Sequence, residues 1–487
     1  MTDIKWQTAR LIPTSGISGQ DEAERRATSA LLAVMSAVKE FGAVLTKPYG
    51  APANWLETYI EVPFPLNGKK VIPDGLLRTS RGSKTWTALV EVKTGSATLQ
   101  TEQIENYLDV AREQGFDAVI TISNEISYAP GVHPTTVDRR KTKSVGLHHI
   151  SWAEILTAAV QQRVYRGVAD PDQAWMLGEL IRYLEHPKSG AQDFDDMGEP
   201  WVDIRNSVTN ATIRANNDGL HETVQRWEQL LRFVTFRLSR ELGADVTGMR
   251  TRAEQSEPAL RVEAQKTSLV GDGRMSGEIR IPGAVGDLGI IADVRSGRVT
   301  VYVDIDAPQE GRSATRVNWL LRQLKEAPQQ LTLEAWVQGG RSSMSELLSR
   351  VREDASLLIQ DSNKELKRFR VSASAPLGTS RKLGNKSFIE SIVDSTSSFY
   401  EEVVQNLTPW TPKAPQLPSG GRTATEAAGI DTRPSSSDFT ATELSADQKG
   451  RQGVFAPPSA PPEPRQWIVP TDAAVDDELI ATKRHTS

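Results

Sequence analysis

The first 160 residues alternate between helical and extended hydrophobic patterns. Apolar residues fall on one helical face of the segment 21–41, at Leu31, Leu32, Met35 and Val38. Three extended runs follow, separated by the turn sequences PLNG and RTSRGSK, at 56–64, 70–77 and 85–92. A second helical pattern at 101–114 ends at Gly115 and precedes an apolar strand at 117–122. The predicted order is helix, three strands, helix, strand.

Residues 151–184 return to a helical pattern, and an acidic loop follows. A further unit opens with an amphipathic helix at 221–242 and contains an alternating strand at 298–305. Ser313 is the predicted N-cap of a later helix. We therefore expect an α/β N-terminal domain at 1–160 with an αβββαβ core, a helical extension with an acidic loop at 161–205, and an α+β accessory domain at 206–410.

The last part of the chain, 411–487, is rich in proline and serine and has almost no apolar periodicity. Such a segment buries too little apolar surface to offset the entropy lost on ordering, so we predict a disordered tail. Its apolar patch at Trp467, Ile468 and Val469 is either a docking motif or a chance cluster. Protein partners are therefore expected through 206–410 or the tail, and an oligomer is compatible with the sequence.

Composition excludes several classes of site. The 487 residues include no cysteine, so disulfides, thiolate nucleophiles, cysteine-bound zinc and iron–sulfur clusters are ruled out. The six histidines are scattered, which leaves a carboxylate-bound hard cation, Mg²⁺ or Mn²⁺, as the expected metal. No window is apolar for long enough to form a membrane helix, and we expect a cytoplasmic protein without membrane contact. A net charge of −5 still permits a local basic cleft.

The stretch 71–107 carries the candidate chemistry. Pro73 and Asp74 begin one strand of a predicted hairpin, and Glu91, Val92 and Lys93 end the other. Side chains alternate along a strand, so Glu91 and Lys93 share a face while Val92 points into the core. In a paired hairpin Asp74 lies across from them. Two carboxylates and an ammonium then converge at the strand ends.

This combination suits phosphodiester hydrolysis. Asp74 and Glu91 offer hard oxygen ligands for a divalent cation, with the Val92 carbonyl as a third. Such a cation polarises the phosphate and acidifies a bound water. Lys93 can orient or help deprotonate that water, and it adds positive charge beside the transition state. The structural alternative is a solvent-facing Glu–Lys pair with no chemistry.

The same residues resemble the signature of the PD-(D/E)xK nuclease superfamily, which has a restriction-endonuclease-like core. The motif reads here as Pro73-Asp74 and Glu91-Val92-Lys93, and the resemblance covers about residues 20–125. Gln103 and Tyr107 are similar to the QxxxY motif of the RecB-like branch, and their i, i+4 spacing places them on one helix face. The resemblance implies catalytic roles for Asp74, Glu91, Lys93, Gln103 and Tyr107. It also implies a metal-proximal glutamate on the first helix, either Glu22 or Glu24, of which we favour Glu24.

The resulting expectation is a Mg²⁺-dependent nuclease that hydrolyses DNA, with a role in bacterial or phage defence or in DNA repair. A basic stretch after the fourth strand is either a phosphate-contacting surface or an ordinary solvated loop, and it contains Arg139, Arg140, Lys141 and Lys143. Two alternatives stay open. The first is a non-catalytic nucleic-acid- or partner-binding protein on a nuclease-like fold. The second is a scaffold that recruits partners.

Overall fold

Two large β-sheets, a small β-hairpin and the helices around them make up the part of the chain described by the computed structural model, residues 11–12, 19–340, 343–361, 364–384 and 386–412. These residues lie in the first of two compact units, Met1–Ala414. The architecture is mixed α/β, which agrees with the predicted class. The predicted disordered tail at 411–487, with its apolar patch, lies outside the described residues except for Thr411 and Pro412.

The first sheet has five strands in the order β1-β4-β5-β6-β7. The elements of this region are α1 (Gln20–Ala37), α2 (Lys39–Thr46), β1 (Glu57–Ile60), β2 (Phe64–Leu66), β3 (Lys69–Val71), β4 (Gly75–Arg81), β5 (Lys84–Val92), α3 (Thr101–Gln114), β6 (Ala118–Ser123), β7 (Gly146–Ser151), α4 (Trp152–Val160) and α5 (Pro171–Leu184). Strands β1, β4 and β5 pair antiparallel, whereas β5, β6 and β7 pair parallel. The central strand β5 therefore carries antiparallel and parallel neighbours, and its carboxyl end is central in the sheet.

Helices cover both faces of this sheet. Val90 and Val92 of β5 share one apolar core with α1, α2, α4 and α5. Leu89 belongs to a second core with Ile104 and Leu108 of α3 on the opposite face. The period-2 alternation of β5 thus sends neighbouring side chains into two different cores. The carboxyl end of β5 is enclosed between α1 and α3 as a result.

The predicted first helix is two helices. A single helix over 21–41 was expected, but Val38 has extended backbone angles (φ −107°, ψ 95°), and α1 and α2 meet there at 110°. The apolar pattern continues through the break because both helices bury their apolar sides in the same core. None of the helices in the described ranges is by itself long and apolar enough to cross a membrane.

The predicted strands are only partly correct. The run at 56–64 divides into β1 and the start of β2, and the chain turns at Glu61, which has a positive φ of 50°. The run at 70–77 divides in the same way between β3 and β4, with Asp74 in the gap. The runs at 85–92 and 117–122 correspond to β5 and β6, and the helix at 101–114 is α3, capped by Gly115 as predicted.

The second sheet has seven antiparallel strands in the order β13-β12-β14-β11-β10-β9-β8. The remaining elements are α6 (Trp201–Thr209), α7 (Leu220–Leu242), β8 (Thr247–Gly248), α8 (Arg252–Ser256), α9 (Ala259–Asp272), β9 (Arg274–Arg280), β10 (Leu288–Asp293), β11 (Arg298–Asp306), α10 (Ser313–Gln323), β12 (Thr332–Val337), β13 (Ser343–Leu347), α11 (Leu348–Glu353), β14 (Leu366–Pro376) and α12 (Phe388–Glu402). Two predicted elements are confirmed, since the helix expected at 221–242 is α7 and the strand expected at 298–305 is β11. The N-cap prediction was wrong, because Arg312 is the cap of α10 while the Ser313 hydroxyl donates to the Lys364 carbonyl.

Candidate active site at the carboxyl end of β5

Asp74 and Glu91 lie opposite each other on adjacent strands. Gly75 pairs with Val90 in the β4–β5 ladder, so the same register places Asp74, one residue before β4, across from Glu91. Asp74 Oδ2 accepts a hydrogen bond of 2.8 Å from the backbone N–H of Val92. In an extended strand the N–H and C=O of one residue point to the same side, so the Val92 carbonyl is also directed towards Asp74. The structure thus brings Asp74 next to Glu91 and Val92 at the end of β5.

Glu91 is a buried carboxyl group at the centre of the site. Its side chain is completely shielded from solvent. Burial, and next the negative charge of Asp74, raise the pKa of Glu91 to about 7, although Lys93 acts in the opposite direction. Its nearest charged partner is the Lys93 ammonium, whose Nζ lies 2.6 Å from Glu91 Oε1. A buried carboxylate that already faces a cation has the charge and the oxygen atoms that a hard metal ion requires.

Lys93 bridges two glutamates. Its Nζ lies 2.6 Å from Glu91 Oε1 and 2.9 Å from Glu24 Oε1. Burial alone would lower the pKa of Lys93, but the two carboxylates outweigh it and raise the pKa above its ordinary value. The two carboxylates therefore favour the charged form of Lys93, which places a positive charge beside Glu91.

Glu24, and not Glu22, reaches the site, as favoured from the sequence. Glu24 contacts Lys93 from the first turns of α1, whereas Glu22 pairs with Arg26 at 2.6 Å. Gly75 makes this approach of α1 possible, since a Cβ at that position would lie 2.5 Å from Leu32 Cδ1 of α1. The sequence shows a glycine directly after Asp74, but its role depends on the helix packed above it.

Gln103 and Tyr107 of α3 complete the site, as the i, i+4 spacing predicted. Gln103 Nε2 donates to the Tyr107 hydroxyl at 3.0 Å, and that hydroxyl donates to the Ile72 carbonyl at 3.3 Å. Burial, and next the charge of Glu91, raise the pKa of Tyr107, so its phenol stays protonated. The pair therefore connects α3 to the segment preceding Asp74 and lies beside the Glu91 carboxylate.

The oxygen donors fit a hard divalent cation only in part. Asp74, Glu91 and the Val92 carbonyl supply three protein oxygens on one side of β5, and Mg²⁺ commonly takes one or two carboxylates and completes its shell with water. Glu24, expected as a further ligand, is instead engaged with Lys93. Within the described ranges, no group of three or more Asp, Glu, His or Cys side chains is close enough to hold a metal ion.

The basic stretch after β6 packs along the outer side of α3. Lys141 pairs with Asp109 of that helix, which neutralises its charge. Arg139, Arg140 and Lys143 are exposed. The structure thus gives Lys141 a packing role and leaves the other three side chains directed to solvent.

Sequence reasoning missed the residues that hold the β5 end in place. Lys93 donates its backbone N–H to Ile122 and accepts a hydrogen bond of 2.9 Å from Trp152 Nε1 on its carbonyl. Trp152 is 59 residues away along the chain. In the sequence, Trp152 is a tryptophan at the start of a predicted helix. Such a residue indicates packing but not a hydrogen bond to the end of β5.

A second missed feature is a polar row that continues across the sheet from Glu91. Thr121 is the neighbour of Glu91 in the β5–β6 register, and His149 is the neighbour of Thr121 in the β6–β7 register. The Thr121 hydroxyl lies 2.8 Å from His149 Nδ1 and 2.8 Å from His133 Nε2. His149 Nε2 is 2.7 Å from the Glu125 carbonyl, which can only accept, so His149 is neutral with its proton on Nε2.

This histidine makes the fold acid-sensitive. Burial, and next the nearby charges of His133 and Arg232, lower the pKa of His149 to about 3. Below pH 6.5 the unfolded chain binds a proton that the folded protein does not, so the unfolding free energy falls as pH falls. We expect a loss of about 2 kcal/mol from this group between pH 7 and pH 5, measured by urea denaturation at both pH values.

The matched comparison is between two histidine variants. His149→Gln should flatten the pH dependence of stability, whereas His221→Gln, at an exposed position of α7, should leave it as in the wild type. Equal slopes for His149→Gln and wild type would contradict the assignment. His133 and His148, whose pKa values are also lowered by burial, contribute with the same sign.

No protein-family model matches the sequence, and no curated protein matches it. The geometry of Asp74, Glu91, Lys93 and the residues around them is therefore the basis for a function.

Proposed function

We propose that the protein is a Mg²⁺- or Mn²⁺-dependent nuclease that hydrolyses phosphodiester bonds in DNA, acting in the cytoplasm in defence against foreign DNA or in DNA repair. The observation that carries the proposal is the pairing of Asp74 with a buried Glu91 directly beside a protonated Lys93. A purely structural Glu–Lys pair would be expected at the surface, where it contributes little. Burying the Glu91 carboxylate beside the half-buried Asp74 costs free energy, and such costs are concentrated at functional sites.

The order of elements supports the same proposal. Helix α1, strands β1, β4 and β5, helix α3 and strand β6 follow the αβββαβ order expected for a restriction-endonuclease-like core. The resemblance to PD-(D/E)xK nucleases places the reacting groups at the end of the second hairpin strand, which here is the end of β5. Gln103 and Tyr107, from the matching helix, lie beside that end.

The proposed chemistry assigns each side chain one task. Asp74, Glu91 and the Val92 carbonyl would hold the cation, which when bound would supply Lewis acidity and a more acidic water. In the proposed hydrolysis the water oxygen bonds to phosphorus as the ester P–O bond breaks, the water gives up a proton to solvent, and the departing oxygen takes one from solvent. Lys93 places a positive charge where negative charge develops on the phosphoryl oxygens in this step. Gln103 holds the Tyr107 hydroxyl beside Glu91, and Glu24 restrains the Lys93 ammonium. Trp152 donates a hydrogen bond to the Lys93 carbonyl and so fixes the backbone that carries Glu91 and Lys93.

The direct test is cleavage of plasmid and of labelled single- and double-stranded oligonucleotides by the purified protein with Mg²⁺ or Mn²⁺. We expect cleavage that stops when a chelator removes the metal. If no DNA or RNA form is cut with either metal, the proposal is wrong.

One observation favours the non-catalytic alternative. A third acidic ligand is missing from the described site because Glu24 is engaged with Lys93. A binding protein on this fold would retain its nucleic-acid affinity in Glu91→Ala and show no metal-dependent turnover. The cleavage assay and a binding assay on this variant separate the two functions.

The basic stretch supplies a prediction about DNA affinity. Replacing Arg139, Arg140 and Lys143 together by alanine should weaken oligonucleotide binding and reduce the slope of log K against log salt by about 2 to 3, since three phosphate contacts are lost. Fluorescence anisotropy over a range of NaCl concentrations measures this slope. Lys141→Ala is the matched control, because its charge is already paired with Asp109, and it should leave the slope unchanged. An unaltered slope in the triple variant would remove this stretch from the DNA surface.

A further inference from the structure

A pocket of about 600 Å³ opens beside Asp74, between α1 and the end of the edge strand β1. Asp74 is part of both the pocket and the candidate active site, so the two are continuous. The pocket is lined from α1 by Arg25, Arg26, Ser29, Ala30 and Ala33, among others, and from the end of β1 by Ile60 and Glu61.

The walls of this pocket combine apolar surface with charged side chains of both signs, Arg25 and Arg26 beside Glu22 and Glu61. Ile60 is 53% exposed, a large fraction for an isoleucine next to a buried site. Ala30 and Ala33 face it from α1. At the rim, Arg25 Nε lies 3.4 Å from Glu61 Oε1, and both side chains are largely exposed. An exposed ion pair of this kind is weak, so the Arg25 guanidinium can exchange Glu61 for a phosphate.

We propose that this pocket binds one unpaired nucleoside next to the scissile phosphate, and that the substrate is therefore single-stranded nucleic acid or an unpaired end. The proposal rests on the proposed nuclease function and names its substrate class. The volume is within the range of pockets that enclose small organic ligands. A base inside a duplex is stacked and paired, so it enters such a pocket only after leaving the helix, whereas an unpaired base enters at little cost.

The position of the pocket supports this occupant. A nucleoside bound against Ile60 and the alanines of α1 has its adjoining phosphate at Asp74, where the carboxylate pair and Lys93 converge. The apolar wall contacts any base face without reading hydrogen-bond patterns, which predicts tolerance of sequence. Arg25 then contacts the next phosphate along the strand.

The test fills the pocket without altering the carboxylates or Lys93. Ala33→Trp places a large side chain on the exposed, pocket-lining face of α1. Ala264→Trp is the matched control, since Ala264 is exposed in the interior of α9. Ser29→Trp, also exposed and pocket-lining, is a second filling variant, and circular dichroism melting verifies that all three fold. Binding of a fluorescein-labelled 12-nucleotide DNA, single-stranded or as a duplex, is measured with Ca²⁺ in place of Mg²⁺.

We expect the wild type to bind the single strand more tightly than the duplex. Ala33→Trp and Ser29→Trp should weaken single-strand binding roughly tenfold, the order of effect of losing the apolar contact of one base, while Ala264→Trp should match the wild type. Equal single-strand affinity in the filled and wild-type proteins would overturn the proposal, as would equal affinity of the wild type for both DNA forms. Loss of binding in the filled variants of a protein that cuts nothing would support the pocket and reject the nuclease function, so the two failures are distinguishable.

Discussion

Glu91→Gln should abolish metal-dependent cleavage while leaving the protein at least as stable as the wild type. The amide keeps the size of the side chain but cannot supply a charged oxygen to the cation, so the rate should fall by about 1000-fold or more. Stability should not fall, because burial and Asp74 raise the pKa of Glu91 to about 7. Above the pKa of the unfolded chain, an ionised Glu91 therefore lowers the unfolding free energy, and the neutral amide avoids this cost. Initial cleavage rates and thermal melting curves at pH 7.5 measure the two effects.

Lys93→Met is the companion variant. It removes the positive charge at the site and leaves Glu91 buried without its counter-ion, so we expect a rate loss of about 100- to 1000-fold. Lys84→Met is a strong control, because Lys84 is an exposed lysine at the other end of the same strand. Cleavage by Glu91→Gln or Lys93→Met at the wild-type rate would contradict the assignment of this site. A rate loss in Lys84→Met as large as that in Lys93→Met would show a general effect of charge.

Phe388→Ala should strongly destabilise the core that packs against the seven-stranded sheet. Phe388 is fully buried on α12, and its ring centroid lies 4.2 Å from that of Trp201 and 6.1 Å from that of Trp227. Removing the ring leaves a cavity among large aromatic side chains, which costs about 3 to 5 kcal/mol. Urea denaturation followed by tryptophan fluorescence measures this loss directly.

The control for this variant is Leu383→Ala. Leu383 is close in sequence but 50% exposed, so its loss should change the unfolding free energy by no more than about 0.5 kcal/mol. A destabilisation of less than about 1 kcal/mol in Phe388→Ala would show that this core readjusts around the cavity. Metal-dependent cleavage by Phe388→Ala, assayed below its melting transition, should persist, because the proposed reacting groups lie on the first sheet.

Local patterns predicted the elements around the site well where burial is regular. Helix α3 shows the helical spacing of one buried face, whereas β5 is a short apolar run that is buried on both faces of the sheet. The break at Val38 was not predicted, because α1 and α2 bury apolar residues in the same core and the pattern does not change across the bend. The strand limits near Glu61 and Asp74 were missed for a related reason, since short turns interrupt runs that remain apolar.

The site itself was predicted in its strand and helix components. Asp74, Glu91 and Lys93 follow from strand alternation and hairpin pairing, and Gln103 with Tyr107 follows from helical spacing. The roles of the long-range partners did not follow in the same way. For Lys141 the sequence left open a phosphate-contacting residue or an ordinary solvated loop, and its pairing with Asp109 of α3 depends on tertiary packing. Trp152 gave no sign of holding the Lys93 carbonyl.

The sequence by itself determined which side chains share a strand face or a helix face, because those relations repeat every two or every three to four residues and need no distant partner. It therefore determined that two carboxylates and a lysine meet at the end of β5. The tertiary structure decided the ionisation of that group and its neighbours. Glu24 contacts Lys93 across 69 residues of chain, and the pKa of Glu91 rises because α1 and α3 close over the strand end and remove water from it. Burial is a property of packed elements, and it is burial that distinguishes this site from an exposed Glu–Lys pair.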